Sequence, residues 1–158
     1  MERIELKKIK VEDVYVSVLS RKRVANAEGW TRMEEVSKRF APTGSIVIDA
    51  VGRVLAADSG VDSVGLAAAL GVPSSALNTI LKTLTGLKTC EFIKSYRLLR
   101  AREWIVCTDL ELRQVAARSG FPTQGSFNRS FTEQFGQTPR DYRRQNRPAN
   151  FRELYEWQ

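Results

Sequence analysis

The chain has 158 residues, 27% charged and 42% hydrophobic, a soluble globular balance with room for one helical core or a small domain with an appendage, but not for two large domains. A net charge of +7 and a pI near 9.7 make a polyanion the expected large partner, either nucleic acid or an anionic membrane surface. With no histidine anywhere, the Ser-His-Asp and Cys-His arrangements, the commonest general base and most zinc chemistry are missing; no Gly-rich phosphate loop occurs either.

No cofactor, metal site or catalytic residue is therefore expected. No apolar run reaches the length of a membrane span, since SIVIDAVGRVLAAD is cut by Asp49 and Arg53, and MERIELKKIK has no secretory apolar core. A cytoplasmic protein with no membrane partner is expected.

Residues 1–43 form an N-terminal extension of unknown role. Val11, Val14, Tyr15, Val18 and Leu19 fit one helix face behind Glu12-Asp13, though so many β-branched residues would equally support a strand. Arg21-Lys22-Arg23 then falls at a helix end, where capping and solvation compete with DNA contact as its role. A second short helix is expected from Thr31, an N-cap with Glu34 three residues on, through Val36 and Phe40 to a stop at Ala41-Pro42, with Pro42-Thr43-Gly44 as a linker.

From Ser45 to about Ser59-Gly60 an amphipathic helix is expected on Ile46, Val47, Ala50, Val51, Val54 and Leu55. Next comes a helical pair at about residues 62–86: Leu66-Ala67-Ala68 leads to Gly71-Val72-Pro73, then Leu77, Leu81 and Leu84 form a stripe with Ser75, Asn78, Thr79 and Lys82 opposite it. A linker helix is expected over about residues 88–107, with Phe92, Ile93, Tyr96, Leu99 and Trp104 at helical intervals. Its two cysteines, Cys90 and Cys107, are expected to be small buried side chains.

At about 1.5 Å per residue such a helix is about 30 Å long, close to one turn of B-DNA. Over about residues 110–136 the helical pair returns. Leu112, Val115 and Ala116 precede a stop at Ser119-Gly120, Phe121-Pro122-Thr123 makes a turn, and Phe127 and Phe131 share one stripe while Gln124, Gly125, Asn128 and Arg129 fall away from it. Leu66-Ala67 matches Val115-Ala116, Gly71-Val72-Pro73 matches Gly120-Phe121-Pro122, and Leu77 and Leu81 match Phe127 and Phe131, an internal repeat of roughly fifty residues. A short helix starts at Thr138-Pro139, and the amphipathic tail 147–158, with Phe151, Leu154, Tyr155 and Trp157, either packs back or serves as a partner motif.

Helix-turn-helix pairs with Asn, Gln and Arg on the exposed face of the second helix suit base reading, because each of these side chains can make a bidentate pair in the major groove. Phe92, Ile93, Arg97, Leu98 and Ala101, followed by Val115, Ala116, Gly120, Phe121, Phe127, Arg129, Phe131, Gly136, Pro139, Tyr142 and Arg143, resemble the DNA-binding domain of the AraC/XylS family of bacterial transcription regulators. The resemblance covers about residues 46–146, within a domain taken as 44–146. It implies an all-α fold of seven helices, with two helix-turn-helix subdomains joined by the linker helix and preceded by a helical N-terminal extension.

By position, the resemblance puts base contacts on Ser75, Asn78 and Thr79 in the first unit and on Gln124, Gly125, Asn128 and Arg129 in the second. Phosphate contacts are expected from Lys82, Thr123, Arg140 and Arg143. The implied function is sequence-specific binding of double-stranded DNA in transcription regulation, with RNA polymerase or another regulator as protein partner. Many family members carry a β-barrel effector domain, which residues 1–43 are too few to build, so no small-molecule effector is identifiable.

Two features set the first unit apart. Thr79 and Leu81 stand where the family usually has Arg and Phe, and Gly65 lies inside the leading helix. Residues 44–87 hold two basic and three acidic side chains against thirteen and eight in residues 88–158, so the first unit is the weaker electrostatic binder. Competing functions are a non-specific DNA-binding or architectural protein, and a DNA-modifying enzyme acting through Cys90 or Cys107.

Overall fold

A computed structural model describes residues 7–158 of the protein, so the first six residues of the N-terminal extension lie outside the described part. Eight α-helices and one three-stranded sheet are formed among the described residues. The chain divides into two compact units, the first holding residues up to Tyr15 together with Phe40–Tyr96, the second Val16–Arg39 with Arg97–Gln158. The N-terminal extension is thus shared between the units.

In the first unit, α1 (Ile46–Ala57) starts at Ser45, whose hydroxyl accepts the Ile48 N–H at 3.2 Å, and buries Ile48, Val51 and Leu55. A short 3-10 helix, Val11–Val14, packs against α1 at Gly52, where an added Cβ would meet Val14 Cβ at 2.6 Å and the Phe40 ring at 3.0 Å. Glycine is what permits that approach. Upstream, the Ile9 N–H donates to the Leu84 carbonyl at 2.9 Å, satisfying one of the acceptors left over at the end of the helix Ser74–Thr85.

The first helix-turn-helix consists of α2 (Ser63–Leu70) and α3 (Ser74–Thr85). Asp62 caps α2 by accepting the Gly65 N–H at 2.7 Å, and Gly71, at φ +67°, ends it with the Val72 N–H returning to the Ala67 carbonyl. Gly65 has a local reason: a Cβ there would lie 2.8 Å from Val61 Cγ2. Leu77 and Leu81 are fully buried beneath α3.

The linker helix α4 (Thr89–Cys107) is one continuous element, contributing its first half to the first unit and the rest to the second. In the second unit α5 (Leu112–Arg118) and α6 (Gln124–Phe135) form the second helix-turn-helix, followed by α7 (Pro139–Asn146) and α8 (Phe151–Leu154). Their core gathers Leu98, Ala101, Trp104, Ile105, Val115, Phe121, Phe127 and Phe131. The aromatic rings run in series: Phe121 to Phe127 at 5.3 Å, Phe127 to Phe131 at 5.7 Å, Phe131 to Tyr142 at 5.3 Å.

The helical reading of the N-terminal extension is corrected by the sheet. Residues 19–25 form β1 (Leu19–Ala25) and residues 31–35 form β2 (Thr31–Glu35), an antiparallel hairpin in which Lys22 faces Glu34 and Arg21 faces Glu35. Two local devices decide it. Asn26 Oδ1 accepts the N–H groups of Glu28 and Trp30, and Gly29 takes φ +87°, a conformation that closes a hairpin and that other side chains avoid. Thr31 is therefore no helix cap, and Arg21-Lys22-Arg23 is a strand segment whose Arg21 pairs with Glu156 at 3.7 Å.

The C-terminal tail packs back onto the second unit and completes the sheet. β3 (Tyr155–Trp157) pairs antiparallel with β1 across a bulge between Leu19 and Arg21, giving the order β2-β1-β3. Trp157 meets Trp104 edge to face at 5.1 Å, and Arg118 lies over both rings. Glu103 of α4 anchors the strand entering the sheet, accepting from the Val18 N–H at 2.6 Å and the Ser17 hydroxyl at 2.8 Å.

Candidate nucleic-acid interface

α6 separates anchoring from presentation. Phe127 and Phe131, four residues apart, are fully buried, which fixes the rotation of the helix about its axis and leaves Gln124, Gly125, Asn128 and Arg129 exposed. Among the described residues no hydrogen bond or ion pair ties the side chains of Gln124, Asn128 or Arg129 to the protein, so their amide and guanidinium forks are available. Nothing lies within 4 Å of a Cβ placed on Gly125, so the start of the helix is bare. Close approach of another backbone is possible there.

Thr123 differs from its expected part. Its hydroxyl accepts the Ser126 N–H at 3.0 Å and donates to the Ser126 hydroxyl, so it serves as the N-cap of α6. The N–H groups of Gln124 and Gly125, in the first turn, remain as donors at the positive end of the helix dipole.

α3 is built on the same plan with fewer free groups. Ser75, Thr79 and Lys82 are exposed opposite Leu77 and Leu81. Thr79, however, donates its hydroxyl to the Ser75 carbonyl at 3.0 Å, and the half-buried Asn78 accepts the Thr89 N–H at 3.1 Å, capping the start of α4. Asn78 thereby has a structural task that spacing alone does not reveal. This face of α3 keeps the Ser75 and Lys82 side chains unencumbered.

Arg143 is the clearest departure among the expected phosphate contacts. It is half-buried, and its guanidinium donates to the carbonyls of Ile105 at 3.0 Å, Leu110 at 2.6 Å and, more weakly, Trp104 at 3.4 Å. These carbonyls lie in the last turn of α4 and in the loop after it, where helix-end acceptors need partners, so Arg143 caps the linker helix. Burial and then the neighbouring Arg147 charge lower its pKa from the ordinary arginine value. Arg140, one turn earlier, is exposed.

Together with Arg144 and Arg147, these two arginines line an open cavity of about 370 Å³ floored by Phe151. Arg147 donates to the Thr108 carbonyl at 3.0 Å and lies over the Phe151 ring, while Arg144 pairs with Asp141. The four arginines stand at i, i+3, i+4 and i+7 along α7 and its C-cap, so helical spacing is the sequence signal that gathers them on one face.

The cysteines divide. Cys107 is buried as expected, and burial, aided by the Glu103 carboxylate, pushes its thiol up to about 12. Cys90 is exposed, contrary to expectation, because position 90 falls on the outer side of the first turn of α4. Among the described residues no cluster of His, Cys, Asp or Glu could hold a metal, and no single helix is long and apolar enough to cross a membrane.

Each unit thus pairs a short leading helix with a twelve-residue second helix, anchored by two apolar side chains four residues apart and stopped by a left-handed glycine, Gly86 in one and Gly136 in the other. That arrangement defines a double helix-turn-helix domain. A family profile described as a helix-turn-helix domain matches residues 66–145, and the chain belongs to the AraC-type helix-turn-helix family.

Over 80 residues the chain is 32% identical to the HTH-type transcriptional activator RhaS of Yersinia pestis, a match covering 51% of this chain and 29% of that protein. Over 71 residues it is 34% identical to the HTH-type transcriptional regulator YtdP of Bacillus subtilis, covering 45% and 9% respectively. The chain therefore spans well under half the length of these curated relatives. The fold matches the C-terminal domain of AraT, a response regulator from Geobacillus stearothermophilus, with a TM-score of 0.62 at 24% identity over 69% of this chain and 92% of that one. It also matches the DNA-binding domain of AdpA, solved in complex with a target DNA, with a TM-score of 0.59 at 24% identity over 63% and 90%.

Proposed function

We propose that the chain is a transcription regulator that binds double-stranded DNA sequence-specifically, with α6 as its dominant reading helix and α3 as the lesser one. The observation that carries this reading is the set of free bidentate side chains, Gln124, Asn128 and Arg129, on a helix whose rotation is locked by Phe127 and Phe131. Gln and Asn match the adenine edge and Arg matches guanine. Ser75 and Thr79 add weaker contacts from α3, and Asn78 adds only what its amide N–H groups can reach. Gly125 lets the base edges come close to the backbone.

Affinity comes from phosphates, met by Lys82, Arg140 and the first-turn N–H groups beside Thr123, with the arginine-lined cavity contributing positive field nearby. Each of the two helices enters a major groove, where base edges can be told apart. The regulator acts through RNA polymerase or another regulator bound beside it, and no catalytic step is involved.

Fluorescence anisotropy with a labelled duplex carrying a selected site tests specificity. Unlabelled duplex of scrambled sequence should compete about a thousandfold less well than the site itself. Equal competition would instead establish a non-specific architectural binder.

A further inference from the structure

We propose that the outer edge of the hairpin is a self-association surface, on which β2 of one chain pairs antiparallel with β2 of a second copy about a two-fold axis through Met33. β2 is an edge strand, and the hydrogen bonds to β1 fix which of its backbone groups are free. The Val36 N–H donates to the Ser20 carbonyl and the Asn26 N–H to the Trp30 carbonyl, so the even-numbered residues of this stretch turn their backbone groups toward β1. By the alternation of an antiparallel ladder, Thr31, Met33 and Glu35 point theirs outward. Among the described residues no hydrogen bond is made by those outward N–H and C=O groups.

The sequence along this edge is complementary to itself. In an antiparallel pair centred on Met33, the outward groups of Thr31, Met33 and Glu35 meet those of Glu35, Met33 and Thr31 in the second copy, which is the hydrogen-bonded register. The intervening residues then face each other with side chains in close approach: Arg32 opposite Glu34 of the second copy, Glu34 opposite its Arg32, and Trp30 opposite its Val36. Opposite charges and an aromatic facing a β-branched residue are the favourable cross-strand pairs.

Within one chain Arg32 and Glu34 already form an ion pair at 2.7 Å, two residues apart on the same face, so the second copy exchanges partners without burying an unmatched charge. Trp30 is 75% exposed at the end of this edge, beside a shallow cavity of about 240 Å³ lined by Val24, Asn26, Arg32 and Glu34. A large apolar side chain left in water at the end of an unpaired strand is what such an interface would cover. The contact is small, so the dimer is weak and two-fold symmetric, an isologous interface.

Sedimentation velocity on the intact chain without DNA, over about a hundredfold range of concentration, tests the pairing. Wild type should show a monomer–dimer equilibrium. Arg32→Glu sets like charges opposite each other and should raise the dissociation constant about tenfold or more; Glu34→Arg should do the same. An equimolar mixture of the two variants restores both opposite-charge pairs across the interface and should return to near wild-type association, as should the double variant carrying both changes. A wild type that stays monomeric throughout, an Arg32→Glu protein that associates like wild type, or a mixture no better than its separate components would overturn the proposal.

Discussion

Replacing Arg143 with Gln separates a structural arginine from a DNA-contacting one. Two of its hydrogen bonds are well formed, to Ile105 and Leu110 at 3.0 and 2.6 Å, while the third, to Trp104 at 3.4 Å, ends on a carbonyl that also accepts the Thr108 hydroxyl. A charged donor is worth about 1.5–3 kcal/mol per bond, and a half-buried site argues for the lower end. Losing two such bonds, with their carbonyls left facing the protein, should cost about 2–4 kcal/mol in urea unfolding. Arg143→Lys should recover only part of that, since one ammonium cannot reach the carbonyls in the geometry of the planar fork. In DNA titrations the slope of log affinity against log salt should stay within about half a unit of wild type, because no phosphate contact is removed. Unchanged stability together with a slope flatter by about one unit would refute the capping role and return Arg143 to the phosphates.

Four other substitutions and one thiol reagent probe further assignments. Arg129→Ala should lose about 1–3 kcal/mol of binding to a selected site, and Thr79→Ala distinctly less because its hydroxyl is already turned to the Ser75 carbonyl; equal losses on folded proteins would invert the ranking of the two helices. Gly52→Ala should destabilise by about 1 kcal/mol or more, overpacking against Val14 outweighing the gain in helix propensity, whereas Gly125→Ala, with open space around it, should raise the melting temperature yet weaken DNA binding. Gly52→Ala matching that rise in melting temperature would remove the close-approach argument. A thiol reagent at about pH 8 should label Cys90 promptly and leave Cys107 protonated and unreacted until the protein is unfolded, and rapid labelling of both would contradict the burial of Cys107.

The helices were legible because their signals are local. Ser45, Asp62, Thr123 and Thr138 cap helix starts, Gly71, Gly86 and Gly136 stop helix ends, and the apolar residues between recur at helical spacing. The sheet was not legible for the same reason. Thr31 and Glu34 happen to stand at capping-box spacing, and the decisive hairpin signal, Asn26 with Gly29, sits among residues that also suit the end of a helix. β3 pairs with a strand more than 130 residues earlier, a partnership no local pattern encodes. At the interface, exposure of Gln124, Asn128 and Arg129 follows from the Phe127 and Phe131 stripe. The tasks of Arg143 and Asn78 could not be read, because their partners are backbone carbonyls and N–H groups, which every residue carries.

Selection of bound sites from random duplex DNA, run in parallel with wild type and Arg129→Ala at protein concentrations low enough to keep the chain monomeric, measures the central claim directly. A single chain with two unlike reading helices should recover an asymmetric site, with most of the information in one half, and Arg129→Ala should relax one or two positions within that half. No enriched sequence, or an Arg129→Ala profile unchanged in its well-defined half and altered only in the other, would contradict α6 as the dominant reading helix.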